Sequence, residues 1–301
     1  MDYKKIIKNR ETRLKILSLL NWIPDKYMLM LQYRIKTGRK LNLKDPKRYT
    51  EKIQWYKLNY RDPIMAKCAD KYTVREYIKD IGLSDILNEI YQVYNSSEEI
   101  DFDKLPEEFV LKSTNGGGGN EVIICRDKSN LDKEEVLKRV SNWTIKHNNG
   151  GGREWVYYKS NTRIIAEKLI KAKENDLVDY KFFCFNGEVQ YIYVINGRNF
   201  GGKSSLGIFD TNFNKLDYCR VDENSMNEVP KKPDNFKEMI KISEVIARDF
   251  PHVRVDLYDN DGKIIFGEIT FFDGSGYQTY RPDEFDYILG EKFKLPKIKR
   301  R

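Results

Sequence analysis

Three groups of residues in this 301-residue chain have the types and spacing to do chemistry. The first is Phe109-Val110-Leu111-Lys112, followed shortly by Gly116, Gly117, Gly118 and Gly119. A lysine leaving a β-rich run beside a loop without side chains offers a fixed ammonium and backbone N–H groups that can approach phosphate oxygens closely. Taken alone, the glycine run equally suits a hairpin tip. Its spacing is not that of a Walker loop, and no dinucleotide fingerprint is supported either. The second group is Arg254-x-Asp256 and Glu268-x-Thr270. Strand alternation puts each pair on one face, so two carboxylates can converge where the strands meet, an oxygen-donor set of the kind Mg2+ requires. A charged, solvent-facing hairpin would read the same way. The third is Ile164 to Ile170, a strand running into Glu167 and Lys168 and then toward Glu174. Its exit offers backbone groups for an adenine edge and a carboxylate for a ribose, and by itself is hardly a signal.

Periodicity gives the elements that must position these groups. The first 60 residues read as helical and amphipathic, with LKILSLLNWI and YMLMLQYRI as apolar clusters separated at Pro24. Such helices either cap the next domain or lie in a membrane interface with their lysines at the headgroups. Asp70 can N-cap DKYTVREYIKDIG, with Gly82 past its end. EEFVLKS and EVIIC then flank the glycine tract as strands, and Asp132-x-x-Glu135 opens a helix to about Lys146. NNGGG at 148–152 reads as a loop. RIIAEKLI and VDYKFFCFNGEVQYIYVING read as strands, with Asn186-Gly187 as a type I′ hairpin turn. A helix from about Asn235 to Arg248 precedes the hairpin HVRVDLYDNDGKIIFGEITFF, which turns at Asn260-Asp261-Gly262. Hairpins outnumber crossovers in this order, so the class is α+β rather than a doubly wound parallel sheet.

Composition narrows the functions. With 40% apolar residues the chain can bury a substantial core. Cys68, Cys125, Cys184 and Cys219 are spaced as reduced core thiols, without a metal or disulfide pattern. Only His147 and His252 are present, so a histidine metal cluster is excluded, and no G-x-S-x-G elbow supports a serine triad. No run reaches the ~18 apolar residues of a membrane span, and the charged first residues do not suit a secretory signal, which predicts a cytoplasmic protein. The net charge of +8 is uneven: residues 1–48 hold fourteen Lys/Arg against four Asp/Glu, and 292–301 hold six Lys/Arg and no acid. Basic ends around a mildly acidic body suit an anionic polymer or peripheral contact with the inner membrane surface, and equally a solvated basic surface. Nucleic acid is not expected, because no aromatic stacking platform is interleaved with the cations.

In this order the pieces resemble the ATP-grasp superfamily over roughly residues 70 to 276, with the Asp70-Lys71 helix as a fourth element. The closer resemblance is to TupA-like ATP-grasp proteins, a group associated with teichuronopeptide and other surface-polysaccharide pathways and sometimes labelled glycosyltransferase. It rests on Thr50-Glu51-Lys52-Ile53-Gln54-Trp55, Ala69-Asp70-Lys71-Tyr72, Asp179-Tyr180-Lys181-Phe182-Phe183-Cys184-Phe185 and Phe266-Gly267-Glu268-Ile269-Thr270-Phe271.

The resemblance implies two α+β subdomains clasping ATP: a helical basic segment at 1–69, a subdomain with the glycine loop at 70–170, and one with the Mg-binding hairpin and basic tail at 171–301. It implies that Lys71 and Lys112 bind phosphates and the adenine side while Gly116 to Gly119 close over the triphosphate. Glu167, Lys168 and Ile170 fall at the adenine linker, with Glu174 or Asp179 on the ribose. Asp256 and Glu268 become Mg2+ ligands, and Arg254 and Lys181 stabilise the migrating phosphoryl group. Thr270 departs from the asparagine many relatives carry, which weakens a third metal ligand there. The parallel αβ domain usual ahead of the ATP module is also missing, so an acceptor site cannot be copied.

The reaction implied is ADP-forming carboxylate–amine ligation through an acyl phosphate, which needs cations and in-line positioning but no nucleophilic side chain. The family association suggests an amino acid joined to a uronic-acid carboxylate on a polymeric or lipid-linked glycan. Three alternatives remain: a glycan kinase of the same fold, a glycosyltransferase, for which no D-x-D pair lies near a Rossmann-like half, and an assembly factor that holds ATP without turning it over.

Overall fold

The computed structural model describes residues 9, 12, 16, 17, 19–117, 121–144, 151–158, 161–171, 177–197 and 204–297. Its organising feature is a six-stranded sheet built on two hairpins. Strands β5 (Asp179–Phe185) and β6 (Glu188–Asn196) turn at Asn186-Gly187, with φ of 53° and 85°. Strands β10 (His252–Asn260) and β11 (Lys263–Thr270) turn at Asp261-Gly262, also at 53° and 85°. Positive φ at both central residues is the type I′ geometry that matches strand twist. The second turn is thus two residues long, and Asn260 belongs to the strand. With β7 (Ser205–Phe209) and the short β9 (Asn224–Ser225), the order is β11-β10-β5-β6-β7-β9, antiparallel except for β7–β9.

Alternation divides this sheet's residues between two environments. On the back, Phe182, Cys184, Val253 and Val255 are buried. Helix α6 (Phe236–Ala247) covers them through Phe236, Met239, Ile242 and Ile246, with the Phe182 and Phe236 rings 6.1 Å apart. Full burial of each such side chain contributes roughly 1.5–3 kcal/mol. On the front, the half bearing Phe183, Phe185 and His252 is sealed by Tyr49, whose ring meets all three. The other half of the same face, from Asp179 and Lys181 to Asp256 and Glu268, is left for the site.

A second sheet, β1-β4-β2-β3, is antiparallel throughout: β1 (Ile90–Tyr94), β2 (Phe109–Ser113), β3 (Val122–Cys125) and β4 (Ile164–Glu167). Phe109, Leu111, Ile164 and Ala166 form a separate core with Val136 and Val140 of helix α5 (Lys133–Val140). Asp132 caps that helix by accepting from the Glu135 N–H at 2.9 Å, and the helix ends at Val140, short of the expected Lys146. A third, two-stranded sheet pairs β8 (Cys219–Arg220) with β12 (Tyr280–Arg281).

Of the N-terminal helices, one covers the large sheet and the one before it packs on that helix and on Tyr277. Helix α1 (Asp25–Thr37) starts after Pro24 and ends at Gly38 with φ 75°. Helix α2 (Tyr49–Asn59) lies across the sheet, and Asp286 of helix α7 (Phe285–Lys292) accepts from the Thr50 N–H at 3.0 Å. After α3 (Pro63–Ala69), Asp70 accepts from the Tyr72 and Thr73 N–H groups at 3.0 and 2.8 Å and launches α4 (Val74–Asp80). Cys68, Cys125 and Cys184 are buried free thiols, and Cys219 is half-buried. Among the described residues no helix is long and apolar enough to cross a membrane.

Candidate active site between the two sheets

Register, more than proximity in sequence, assembles the site. Asp256 is the cross-strand partner of both Lys181 and Glu268, and Arg254 of Thr270. These five side chains, with Asp179, therefore share the open half of the front face. A bulge follows Asp256, where Gly267 is the extra residue of β11. A Cβ there would come within 3.0 Å of both the Asp256 carbonyl oxygen and the Tyr258 ring.

Arg254 is the hub. Its Nε and Nη2 donate to the two Asp256 oxygens at 2.7 and 2.8 Å, and Nη2 also reaches Glu268 Oε1 at 3.2 Å and Thr270 Oγ1 at 3.1 Å. Its Nη1 donates to Asp273. Lys181 donates to Asp256 and lies 2.8 Å from Asp179 Oδ2. Burial pushes the Asp256 carboxyl up despite Arg254 and Lys181, with Asp179 and Glu268 adding to the rise. Glu268 is also penalised by burial, but Lys71, Lys181 and Arg254 outweigh that and hold it down at about 2. Glu268 is consequently ionised at neutral pH.

The small sheet faces this row across a cleft of about 520 Å3, a volume in the usual range for ligand sites. Lys112 on β2 pairs with Glu167 on β4 at 2.7 Å. Lys71 bridges the two sides, its Nζ 3.4 Å from Glu268 Oε2 and donating to the Gly116 carbonyl at 2.5 Å. Lys71, Lys112, Gly116, Gly117, Glu167, Ile170, Asp179, Lys181, Arg254, Asp256, Glu268 and Thr270 all line the cleft. Gly118, Gly119 and Glu174 lie outside the described residues.

Lys168 is placed differently from the expectation of a cleft-lining adenine contact. Alternation turns it away from Glu167, so it lines an adjoining cavity with its Nζ 3.5 Å from Glu89. Its N–H donates to the Glu89 carbonyl at 2.9 Å and its carbonyl accepts from Asn88 at 2.8 Å, which commits its backbone to the protein. Leu169 lines that adjoining cavity too, whereas Ile170 lines the cleft and makes no backbone hydrogen bond with a described residue, so its groups can meet a planar polar ligand edge.

Asp256, Glu268 and Thr270 form an all-oxygen donor set with an ionised carboxylate, which fits Mg2+. Among the described residues, no group of three or more His, Cys, Asp or Glu could hold a metal by itself, so phosphate or water oxygens would complete the shell.

Several lining residues carry no sequence signal of their own. Arg75 is half-buried on α4, four residues after Lys71. Glu154 and Tyr157 arrive on the 151–158 segment, and Glu154 is anchored by buried Lys57, 4.0 Å away, and by Ser275. Lys57 shares a helix face with Ile53, and burial lowers it to about 7. Arg220 enters on β8, with Nη2 2.7 Å from Asp222. Asp273, also held below its usual range by Arg254 and Arg220 against the effect of burial, follows the second hairpin in a turn with positive φ at Gly274 and Ser275.

The family model described as TupA-like ATPgrasp matches residues 51–294, and so spans both sheets and every wall of the cleft. The chain belongs to the TupA-like ATP-grasp family. Comparison with curated proteins gives no match. Among solved structures, the chain is similar to D-alanine–D-alanine ligase from Bacillus anthracis, at 21% identity over 68% of this chain and 57% of that one, with a TM-score of 0.44. It is also similar to N5-carboxyaminoimidazole synthase from Aspergillus clavatus in complex with ADP and 5-aminoimidazole ribonucleotide, at 12% identity over 77% and 53% of the two chains and a TM-score of 0.40. This TupA-like chain thus spans just over half the length of those structures, and the family match alone carries the assignment.

Proposed function

We propose that this TupA-like ATP-grasp chain is an ADP-forming carboxylate–amine ligase acting on a uronic-acid carboxylate of a surface polysaccharide or its lipid-linked precursor, with an amino acid as the amine. The observation that carries the reading is the meeting of Lys181, Arg254, Asp256 and Glu268 on one sheet with Lys112 on the other, across a single cleft.

In this reading the adenine lies at Glu167 and Ile170, and the triphosphate runs toward Arg254. Lys71 and Lys112, now paired with Glu268 and Glu167, exchange part of those contacts for phosphate oxygens. Asp256, Glu268 and Thr270 would hold Mg2+, which when bound neutralises charge on the phosphates. Gly116 and Gly117 line the phosphate end of the cleft, where the lack of side chains lets their backbone N–H groups approach phosphate oxygens.

The acceptor carboxylate oxygen forms a bond to the γ-phosphorus as the bond to ADP breaks. Lys181 and Arg254 stabilise the charge that moves with the phosphoryl group. The amine nitrogen then bonds to the carbonyl carbon, phosphate leaves, and the amine's proton passes to solvent. The acceptor end of the cleft is lined by Arg220, Tyr193, Glu154 and Ser275. Arg220 supplies the cation a uronate needs, and the Glu154 carboxylate suits an ammonium donor.

The test is ATP turnover in Mg2+ buffer with a panel of uronic-acid glycans and amino acids, reading ADP, AMP and phosphate separately. ADP and phosphate that appear only when carboxylate and amine are both present establish ligation. ADP with the phosphate retained on the glycan makes the protein a kinase. No turnover with any pair counts against the uronate and amino-acid assignment.

A further inference from the structure

Helix α1 carries two different faces. Met28, Leu29, Gln32 and Tyr33 turn inward, where Leu29 and Tyr33 pack with Leu41 and Tyr277, and Gln32 accepts from the Tyr277 hydroxyl at 2.6 Å. On the opposite side Tyr27, Leu31 and Ile35, at i, i+4 and i+8, are 62%, 49% and 45% exposed. Just ahead of the helix, Leu19 and Trp22 are 75% and 79% exposed. Single exposed apolar residues are ordinary, but a stripe of three led by a leucine and a tryptophan marks a surface meant to be covered.

Charge indicates what covers it. Exposed Lys26 and Arg34 flank the stripe, Lys40 and Lys44 follow it, and residues 1–48 carry fourteen Lys/Arg against four Asp/Glu. An aromatic and aliphatic stripe bordered by cations matches the headgroup boundary of an anionic bilayer, where rings and aliphatic chains enter and ammonium and guanidinium groups stay at the phosphates. We propose that this face of α1, with Leu19 and Trp22, docks the protein on an anionic lipid membrane.

The docking face is tied to the cleft. Buried Arg153 donates to the Leu20 carbonyl at 2.8 Å and pairs with Asp25 at 2.9 Å, gripping both sides of Trp22. The next residue is Glu154, and Lys57 donates to both the Gly152 and Ser275 carbonyls at 2.8 Å. A docked α1 therefore holds the acceptor end of the cleft close to the headgroup layer. Docking itself stands apart from the ligase reading. Only its use, to meet a lipid-carried acceptor, rests on that reading.

The experiment is sedimentation of the full chain with phosphatidylcholine vesicles, with and without phosphatidylglycerol, beside activity-independent checks of folding by circular dichroism. Wild type is expected to sediment only with the anionic vesicles and to be released by high salt. Leu31→Glu/Ile35→Glu should weaken vesicle partitioning roughly a hundredfold, since each of the two lost apolar insertions is worth about a decade. Lys26→Glu/Arg34→Glu should remove the preference for phosphatidylglycerol. Trp22 gives a second readout free of these variants: its emission should shift to the blue on adding anionic vesicles, and the shift should vanish in Trp22→Phe. Wild type remaining in the supernatant with both vesicles, undiminished binding by both double variants, or no Trp22 shift overturns the proposal. So does a concentration-dependent dimer abolished by Leu31→Glu/Ile35→Glu, because a second copy would then cover the stripe.

Discussion

Glu268 lies among Lys71, Lys181 and Arg254, which together keep it ionised against the cost of burial. Glu268→Gln keeps the volume and removes the charge, so Mg2+-dependent ATP turnover should fall on the order of 10²-fold while the circular dichroism spectrum stays that of the wild type. Turnover within a few-fold of wild type would remove Glu268 from the metal and phosphate site. His252 has a different role, although it lies two residues from Arg254. Its Nε2 meets the Tyr49 hydroxyl and its Nδ1 the Cys184 carbonyl, each at 2.9 Å, and burial lowers it from 6.5 to about 4. Between those pH values the unfolded chain binds a proton that the folded chain refuses, so stability falls as pH drops from 6.5 to about 4 and this group takes nothing further below that. Denaturant titrations across that window should show a shallower slope for His252→Gln than for wild type. Equal slopes would mean that His252 is not neutral in the folded protein.

At the scale of elements, close packing reverses an ordinary propensity. A glycine inside a helix usually gains about 1 kcal/mol on change to alanine. Gly290 on α7 is an exception, because a Cβ there would lie 2.0 Å from the Lys47 carbonyl oxygen and 2.9 Å from the Tyr49 nitrogen. Gly290→Ala should therefore destabilise by roughly 1–3 kcal/mol, seen as a lower Tm, and a raised Tm would show that α7 can move off α2. The contact bears on function because α2 also carries Tyr49, which seals the apolar half of the sheet, and Lys57, which fixes Ser275 beside the cleft. The bulge at Gly267 has a comparable part: without the extra residue Asp256 would face Gly267, and the one-residue shift makes Glu268 its partner on the same side of the sheet.

For the whole molecule, the cleft belongs to neither sheet. Its walls come from two separate apolar cores, so a nucleotide bridging Lys112 on one sheet and Arg254 on the other binds the folded state only. Mg-ATP at about 100 times its Kd should stabilise the protein by roughly 2.7 kcal/mol, a rise in Tm of several degrees. Lys112→Ala should lose most of that rise, read against its own ligand-free Tm, which should itself be lower because buried Glu167 loses its partner. A full ATP-induced shift in Lys112→Ala would place the phosphates elsewhere.

Local chemistry made much of this readable from the residues alone. Asn186-Gly187 and Asp261-Gly262 specify their turns because only certain residues tolerate positive φ, and period-two alternation puts Arg254 with Asp256 and Glu268 with Thr270, but it is the bulge at Gly267 that brings the two pairs to one face. Asp132 announces its cap by the same short-range logic, while Asp70 holds the turn that leads into α4, whose cap position is Thr73. Short-range logic stops where the chain returns from a distance. It gives no indication that Glu154 is held by Lys57, that Arg220 arrives on a two-residue strand, or that Asp273 completes the bonds of Arg254. Nor does it indicate that the Lys168 backbone is taken by Asn88 and Glu89, which lie just ahead of β1 some 80 residues earlier. The amphipathic N-terminus shows the division most clearly. The sequence determined that α1 would be a helix rich in apolar and basic residues, and only the tertiary structure decided which side meets the protein core and which is left outside, because that depends on where Tyr277 and Leu41 lie in space.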